Sequence, residues 1–182
     1  VNDSYGGVCI ITCNKSVQAV QLAITEQFIN TEIVAIDILN VLNPIRCINV
    51  YRSPAHDTEA HAVSEMKLLI KCLKRLCDIN RSIVITGDFN LPSIDWHELN
   101  LVAYSDSCSV MFANFTVQYA FTQHVDSITR PRSSRSMSVA SNGAGSLIDL
   151  ILTNDTHIVH GVNVNAPFST SDHCMIDYEL SF

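Results

Sequence analysis

The sequence predicts one α/β domain in which β-sheets are covered by helices. The first observation behind this is the order of the local patterns, which runs strands, helix, strand, helix and strands again. The second is composition: 182 residues, 47% hydrophobic and only 16% charged, suit a domain of ordinary size with a sizeable core. The third is continuity, since no internal repeat and no linker divide residues 1–182 into two cores. Six Gly and five Pro rule out collagen-like and low-complexity sequence. The longest apolar stretch, Ile33 to Ile45, is broken by Asp37, Asn40 and Asn43, well short of the roughly 18 to 20 residues of a membrane span. A soluble chain with no membrane partner is expected.

Along the chain, Gly6-Gly7 leads into Val8, Cys9, Ile10 and Ile11, and Tyr5 to Cys13 reads as a buried strand entered through a flexible turn. Ala19 to Ile24, Glu32 to Leu39 and Arg46 to Tyr51 follow as β-branched runs separated by Asn, Thr and Pro, a series of antiparallel-type strands. A helix begins at Asp57-Thr58-Glu59, with Val63, Met66, Leu69, Ile70, Leu73 and Leu76 at helical spacing, and ends near Asn80. Ser82 to Thr86 is a buried strand closed by Gly87 and running into Asp88-Phe89-Asn90-Leu91-Pro92. A second helix spans about Asp106 to Tyr119, with a less regular apolar face. Thr129 to Ser146 reads as an exposed, mobile Ser-rich loop whose Arg130, Arg132 and Arg135 are the one locally basic stretch. Leu147 to Thr153 and Ile158 to Ala166 read as a strand pair across Asn154-Asp155-Thr156, and His173 to Phe182 as a last alternating strand.

Seven Cys, an odd number without a C-x-x-C pair, support neither a disulfide framework nor an ordinary zinc site, which fits a reduced intracellular compartment, nuclear or cytoplasmic rather than secreted. Four Asn-x-Ser/Thr sequons carry little weight without a secretory signal. The chain opens with Val1 rather than Met and moves straight toward a strand, so it reads as a fragment.

Asp149 is the most informative residue, because its neighbours in Leu147-Ile148-Asp149-Leu150-Ile151-Leu152 are all apolar. A buried carboxylate without partners costs several kcal/mol, so it is bonded either to backbone donors as a structural group or to a cation or histidine. His173, opening the final strand after Ser171-Asp172, supplies a histidine if the two strands share a sheet; the plainer reading is a surface residue. Asp88 and Asn90 end a buried strand and project to one side if the chain stays extended, although Gly-Asp and Asn-Leu-Pro also form ordinary turns. Tyr51 either presents its phenol to a phosphate or packs. His56 and His61 are better explained by a solvated helix start than as a metal cluster. Carboxylates, an amide, a His and a Tyr, without a Gly-rich phosphate loop or a nucleophile elbow, fit metal-assisted attack of water on a phosphoester, with Mg²⁺ or Mn²⁺ favoured by hard oxygen ligands.

Taken in order, Tyr51-Arg52-Ser53-Pro54, Gly87-Asp88-Phe89-Asn90, Leu147-Ile148-Asp149-Leu150-Ile151 and Ser171-Asp172-His173 resemble the endonuclease/exonuclease/phosphatase family. The form Gly87 to Pro92 followed by Asp95-Trp96, with Ser146 to Asn154 before Ser171-Asp172-His173, resembles the apurinic-type endonuclease domain of non-LTR retrotransposons, and Gly6-Gly7-Val8 resembles its Gly-Gly-Val strand. The resemblance covers essentially the whole chain and implies an α+β fold, a four-layer αββα sandwich of the DNase I type. It implies that Asp88 positions or deprotonates water, Asn90 holds that water or a phosphate oxygen, and His173, oriented by Asp149, contacts the scissile phosphate. Tyr51 would support the phosphate, Asp172 would help bind the metal, and Arg52, Arg130, Arg132 and Arg135 would contact DNA. A reverse transcriptase domain would follow in the parent protein.

The family's first Asn and principal metal-binding Glu precede its Gly-Gly-Val segment; Glu26 and Glu32 come too late in the order to replace them. The chain is therefore expected to lack that Glu and one or more strands of the first sheet, to expose a sheet edge, and to be inactive alone. The implied activity is nicking of target DNA for retrotransposition. The alternatives are another phosphoesterase of the family, acting on an apurinic site, an inositol phosphate or a sphingolipid, and a decayed, non-catalytic nucleic-acid-binding remnant. A net charge of −7, from 11 Lys and Arg against 18 Asp and Glu, weighs against DNA binding without deciding it, because a metal-dependent nuclease needs acidic residues at its centre.

Overall fold

Alternation of apolar side chains to both faces of one sheet organises the molecule. The structure is a computed structural model that describes residues 7–12, 17–54, 57–96, 100–101, 106–131 and 145–181. Its main sheet has six strands in the order β1-β2-β3-β4-β10-β7. These are β1 (Ala19–Gln21), β2 (Thr31–Ile38), β3 (Ile45–Arg52), β4 (Ser82–Asp88), β7 (Thr122–Gln123) and β10 (Asp149–Thr153). β3 and β4 are parallel, joined through helix α1 (Glu59–Cys77); the other pairings are antiparallel, so the sheet is mixed.

One face of this sheet, carrying Ala35, Ile48, Val50, Ile83, Ile85, Leu150 and Leu152, packs on α1 and on α2 (Ser107–Gln118). The heptad-like stripe read from the sequence supplies Met66, Leu69, Leu73 and Leu76 of α1, all fully buried. Each such side chain contributes roughly 1.5–3 kcal/mol by burial. Both helices are capped as their sequences suggest: Thr58 Oγ1 accepts from the His61 amide and Asp106 Oδ1 from the Ser109 amide. The opposite face presents Ile45, Val84 and Ile151 to a second sheet made of β11 (Val159–Pro167) and β12 (Cys174–Leu180). Helices, main sheet and second sheet form three stacked layers among the described residues, and the fold is α+β as expected. Two short ribbons complete it, β5 (Ile94–Asp95) with β6 (Asn100–Leu101) and β8 (Arg130–Pro131) with β9 (Gly145–Ser146). No helix among the described residues is long and apolar enough to cross a membrane, and the six cysteines described are free.

Three expectations are corrected. Residues 7–12 are not a strand: Ile11 is 79% exposed, and the segment pairs with no ladder among the described residues. Leu147–Thr153 does not pair with Ile158–Ala166. β10 is apolar on both faces and enters the main sheet between β4 and β7, whereas β11 has exposed alternate residues and pairs with β12. For the same reason the strand after His173 does not share a sheet with Asp149. The base of the basic loop closes as the β8–β9 ribbon, and its interior, with Arg132 and Arg135, lies outside the described residues.

Polar ties fix the layers. Glu65 of α1, buried, accepts from the amides of Ile29 and Asn30 and from Thr31 Oγ1, pinning the entry to β2. At the other end of the sheet Asp37 takes Arg46 on both oxygens at 2.7 and 2.8 Å and Arg81 at 3.0 Å, while Arg46 Nη1 also donates to the carbonyl of Leu76. Arg46 and Asp37 are both buried. Removing the carboxylate strands a buried guanidinium, so Asp37→Ala is expected to lower unfolding stability by about 3–5 kcal/mol in urea titrations. A loss under about 1 kcal/mol would mean that solvent reaches the pair and screens it.

Candidate active site

The site forms where the strands of the two sheets end together. β4 and β10 are antiparallel with Asp88 opposite Asp149, and β3 lies parallel to β4 with Tyr51 opposite Asp88. Alternation puts all three on the face toward the second sheet, because Val84 and Ile151, an even number of residues away, face it too. Gly87 makes the close approach to β3 feasible. Its φ is +132°, and a Cβ there would lie 1.8 Å from the carbonyl oxygen of Val50.

His173 reaches the same point from the other sheet, just ahead of β12. Its Nδ1 lies 2.9 and 3.1 Å from the two Asp149 oxygens, and its Nε2 is 3.8 Å from Asp88 Oδ2. With Asp149 accepting at Nδ1–H, the neutral ring presents the Nε2 lone pair toward Asp88, and the protonated ring presents an N–H. Asn90 closes the other side. Its amide donates to Asp88 Oδ1 at 2.9 Å, and its Nδ2 donates to Asp88 Oδ2 at 3.0 Å and to the Arg52 carbonyl at 2.8 Å. This is a turn, as the Asn-Leu-Pro sequence allowed, with Asn90 at φ +48°. The turn aims the amide at the carboxylate rather than replacing a functional role.

Burial and the facing Asp149 carboxylate push the Asp88 pKa up from its ordinary 3.8 to about 6, against the lowering effect of the Asn90 amide, His173 and Arg130. Asp88, Asp149 and His173 each offer a ligand atom within 4.8 Å of the others.

Thr129 was missed by sequence reasoning. Fully buried, it accepts at Oγ1 from the amides of Ile148 and Asp149, both at 3.1 Å, and its carbonyl accepts from the Cys174 amide at 2.7 Å. It thereby staples the first residue of β12 to the first residue of β10, bracing the Asp149–His173 contact across two sheets. A Thr just ahead of an Arg-Pro pair reads as loop start, so only its burial could have revealed it.

The remaining residues fall elsewhere. Asp172 turns away: its side chain is 62% exposed and it takes Arg130 Nη2 at 2.6 Å and Nε at 2.8 Å. The Arg130 guanidinium holds the Asp172 carboxyl below the usual range. Arg52 does not stand at a DNA-facing rim. Even-numbered residues of β3 face the helices, so Arg52 is 5% exposed and its Nη1 donates to the carbonyls of Phe89 and Asn90 at 3.3 and 3.4 Å. It supports the Asp88–Asn90 turn from beneath.

A family model described as endonuclease-reverse transcriptase matches residues 45–177. Among solved structures the chain is similar to the endonuclease domain of TRAS1, a telomere-specific non-LTR retrotransposon, with a TM-score of 0.65 at 15% identity over 93% of this chain and 71% of that one. It is also similar to the 3′ phosphatase NExo from Neisseria bound to product DNA hairpin, with a TM-score of 0.59 at 18% identity over 82% of this chain and 65% of the other. An AP endonuclease from Archaeoglobus fulgidus has a TM-score of 0.54 at 15% identity, over 82% and 65% respectively. These likenesses establish the fold. No curated protein matches the chain.

A carboxyl raised in the fold is stabilising in its neutral form, so the contribution of Asp88 is full below about pH 3.8 and is lost as pH rises through about 6. In the metal-free protein with EDTA, Asp88→Asn is therefore expected to match the parent near pH 4 and to be more stable by about 1–3 kcal/mol at pH 7. A stability difference that does not change between pH 4 and 7 would remove the case for a strained carboxylate.

Proposed function

The chain belongs to the endonuclease-reverse transcriptase family, whose model spans residues 45–177, and on that premise we propose that it is the nuclease module that nicks DNA by metal-assisted hydrolysis of a phosphodiester. The observation that carries the reading is the imidazole of His173, oriented at Nδ1 by Asp149 and turned at Nε2 toward Asp88. Asp88, with its carboxyl pushed up to about 6, accepts a proton from water near neutral pH. Asn90 Nδ2 fixes which lone pairs of Asp88 remain for that water. His173 in its protonated form donates from Nε2 to a phosphate oxygen, and the Asp149 carboxylate, accepting at Nδ1–H, fixes the orientation of the ring. Tyr51, level with Asp88 on the neighbouring strand, would steady the phosphate.

The donor set fits a divalent cation. The Asp88 and Asp149 carboxylates face one another with oxygens within 4.8 Å, and the burial and mutual repulsion that raise the Asp88 pKa are of the kind a cation beside them would relieve, with the imidazole left to the phosphate. Mg²⁺ or Mn²⁺ suits the oxygen ligands and, when bound, supplies neutralisation of the charge that develops on the phosphate. Asp172 would join it by exchanging Arg130 for the cation. The retrotransposon role, with a reverse transcriptase acting on the nicked target, is supported by the family description and by the likeness to the TRAS1 endonuclease domain. Arg130, and Arg132 and Arg135 beyond it, are proposed to lie along the DNA backbone.

The test is conversion of supercoiled plasmid to the nicked circle by the full-length gene product with Mg²⁺ or with EDTA. Nicking is expected only with the metal, and Asp149→Asn and His173→Ala are each expected to reduce it by about 10²-fold or more while melting as the parent does. Metal-dependent nicking that survives in both variants would falsify this assignment. An apurinic-site preference would appear as cleavage confined to plasmid that has been depurinated.

A further inference from the structure

Phe168 is 79% exposed and lies in the turn that joins β11 to β12, five residues ahead of His173. β11 ends at Pro167, which pairs with Cys174, so Phe168 follows at the level of His173. A tight turn holds it there. The Ser171 amide donates to the Phe168 carbonyl at 3.1 Å, Ser169 adopts φ +55°, and the His173 amide donates to Ser171 Oγ at 3.0 Å. On the other flank Ile128, 38% exposed, precedes Thr129, whose carbonyl takes the Cys174 amide.

We propose that Phe168 is a base-stacking residue, which packs on a nucleobase unstacked next to the phosphate at His173 and so selects DNA steps that open readily. This rests on the nuclease reading above. The argument is one of charge and shape together. In a chain of net charge −7 the phosphate contacts proposed for Arg130, Arg132 and Arg135 are few, so contacts that do not depend on charge add usefully to them. An exposed aromatic ring on the hydrogen-bonded turn just ahead of His173 supplies such a contact to any base. Pyrimidine–purine steps unstack most easily, which gives the contact a sequence preference without hydrogen bonds to base edges.

Phe168 is solvent-exposed, so its replacement leaves the core intact, and a thermal melt of each variant checks this. Binding of a fluorescein-labelled duplex is measured with EDTA present, so that no cleavage intervenes. Phe168→Ala is expected to weaken binding about tenfold at fixed salt, with an unchanged slope of affinity against salt. Phe168→Trp is expected to restore it, and the indole introduced by F168W, in a chain whose only other Trp is Trp96, is expected to be quenched by the duplex. On a strand of abasic sugar-phosphate, F168A and the parent are expected to bind alike. Equal affinity of F168A and parent for the duplex, or an F168W emission unmoved at saturating duplex, overturns the stacking proposal alone. A parent that binds no duplex overturns both it and the nuclease reading.

Discussion

The antiparallel register of β4 against β10 is the constraint on which the site depends, because it sets Asp88 beside Asp149 on the same face of the sheet. Two carboxylates at neighbouring strand positions repel, and the raised Asp88 pKa expresses its burial first and that repulsion second. A register slip by one residue would send Asp149 toward the helices and dissolve the pair. The apolar alternation of Leu150, Ile151 and Leu152 between two cores opposes such a slip, so the same hydrophobic pattern that builds the sheet also sets the chemistry at its end.

Support for the strained pair comes from three directions, two from residues of the main sheet and one from the second sheet. Asn90 donates twice to Asp88 from the turn after β4. His173 approaches Asp149 from the second sheet. Arg52, lying under the turn on the helix side, ties down the carbonyls of Phe89 and Asn90. Thr129 couples the first two sheets directly, since one residue satisfies two amides at the start of β10 and receives the amide that starts β12. Leaving those buried donors without an acceptor would cost about 1–3 kcal/mol each. The geometry at His173 is in this sense a consequence of satisfying buried backbone amides.

Charge distribution shapes the surroundings as much as the centre. Arg130 is engaged at 2.6 Å by the exposed Asp172, the residue just ahead of His173, so the two charges neutralise one another there. An exposed ion pair of this kind contributes little to stability, which leaves both partners ready to exchange for a phosphate or a cation.

Sequence alone determined the elements and the chemistry of the candidates. Helical spacing from Val63 to Leu76, the buried run Ile83-Val84-Ile85 and the isolated Asp149 are local signals, and each survives in the structure because short-range periodicity dictates which face a residue presents. The motif order also pointed to the α+β fold. What the tertiary structure decided is which strands pair and therefore what meets. Asp149 and His173 come together across two sheets rather than within one, Arg52 turns inward by strand parity, and Thr129 becomes buried and indispensable to the contact. Pairing of segments far apart in the chain depends on the fit of whole faces, summed over many side chains, and a linear pattern carries no record of that sum.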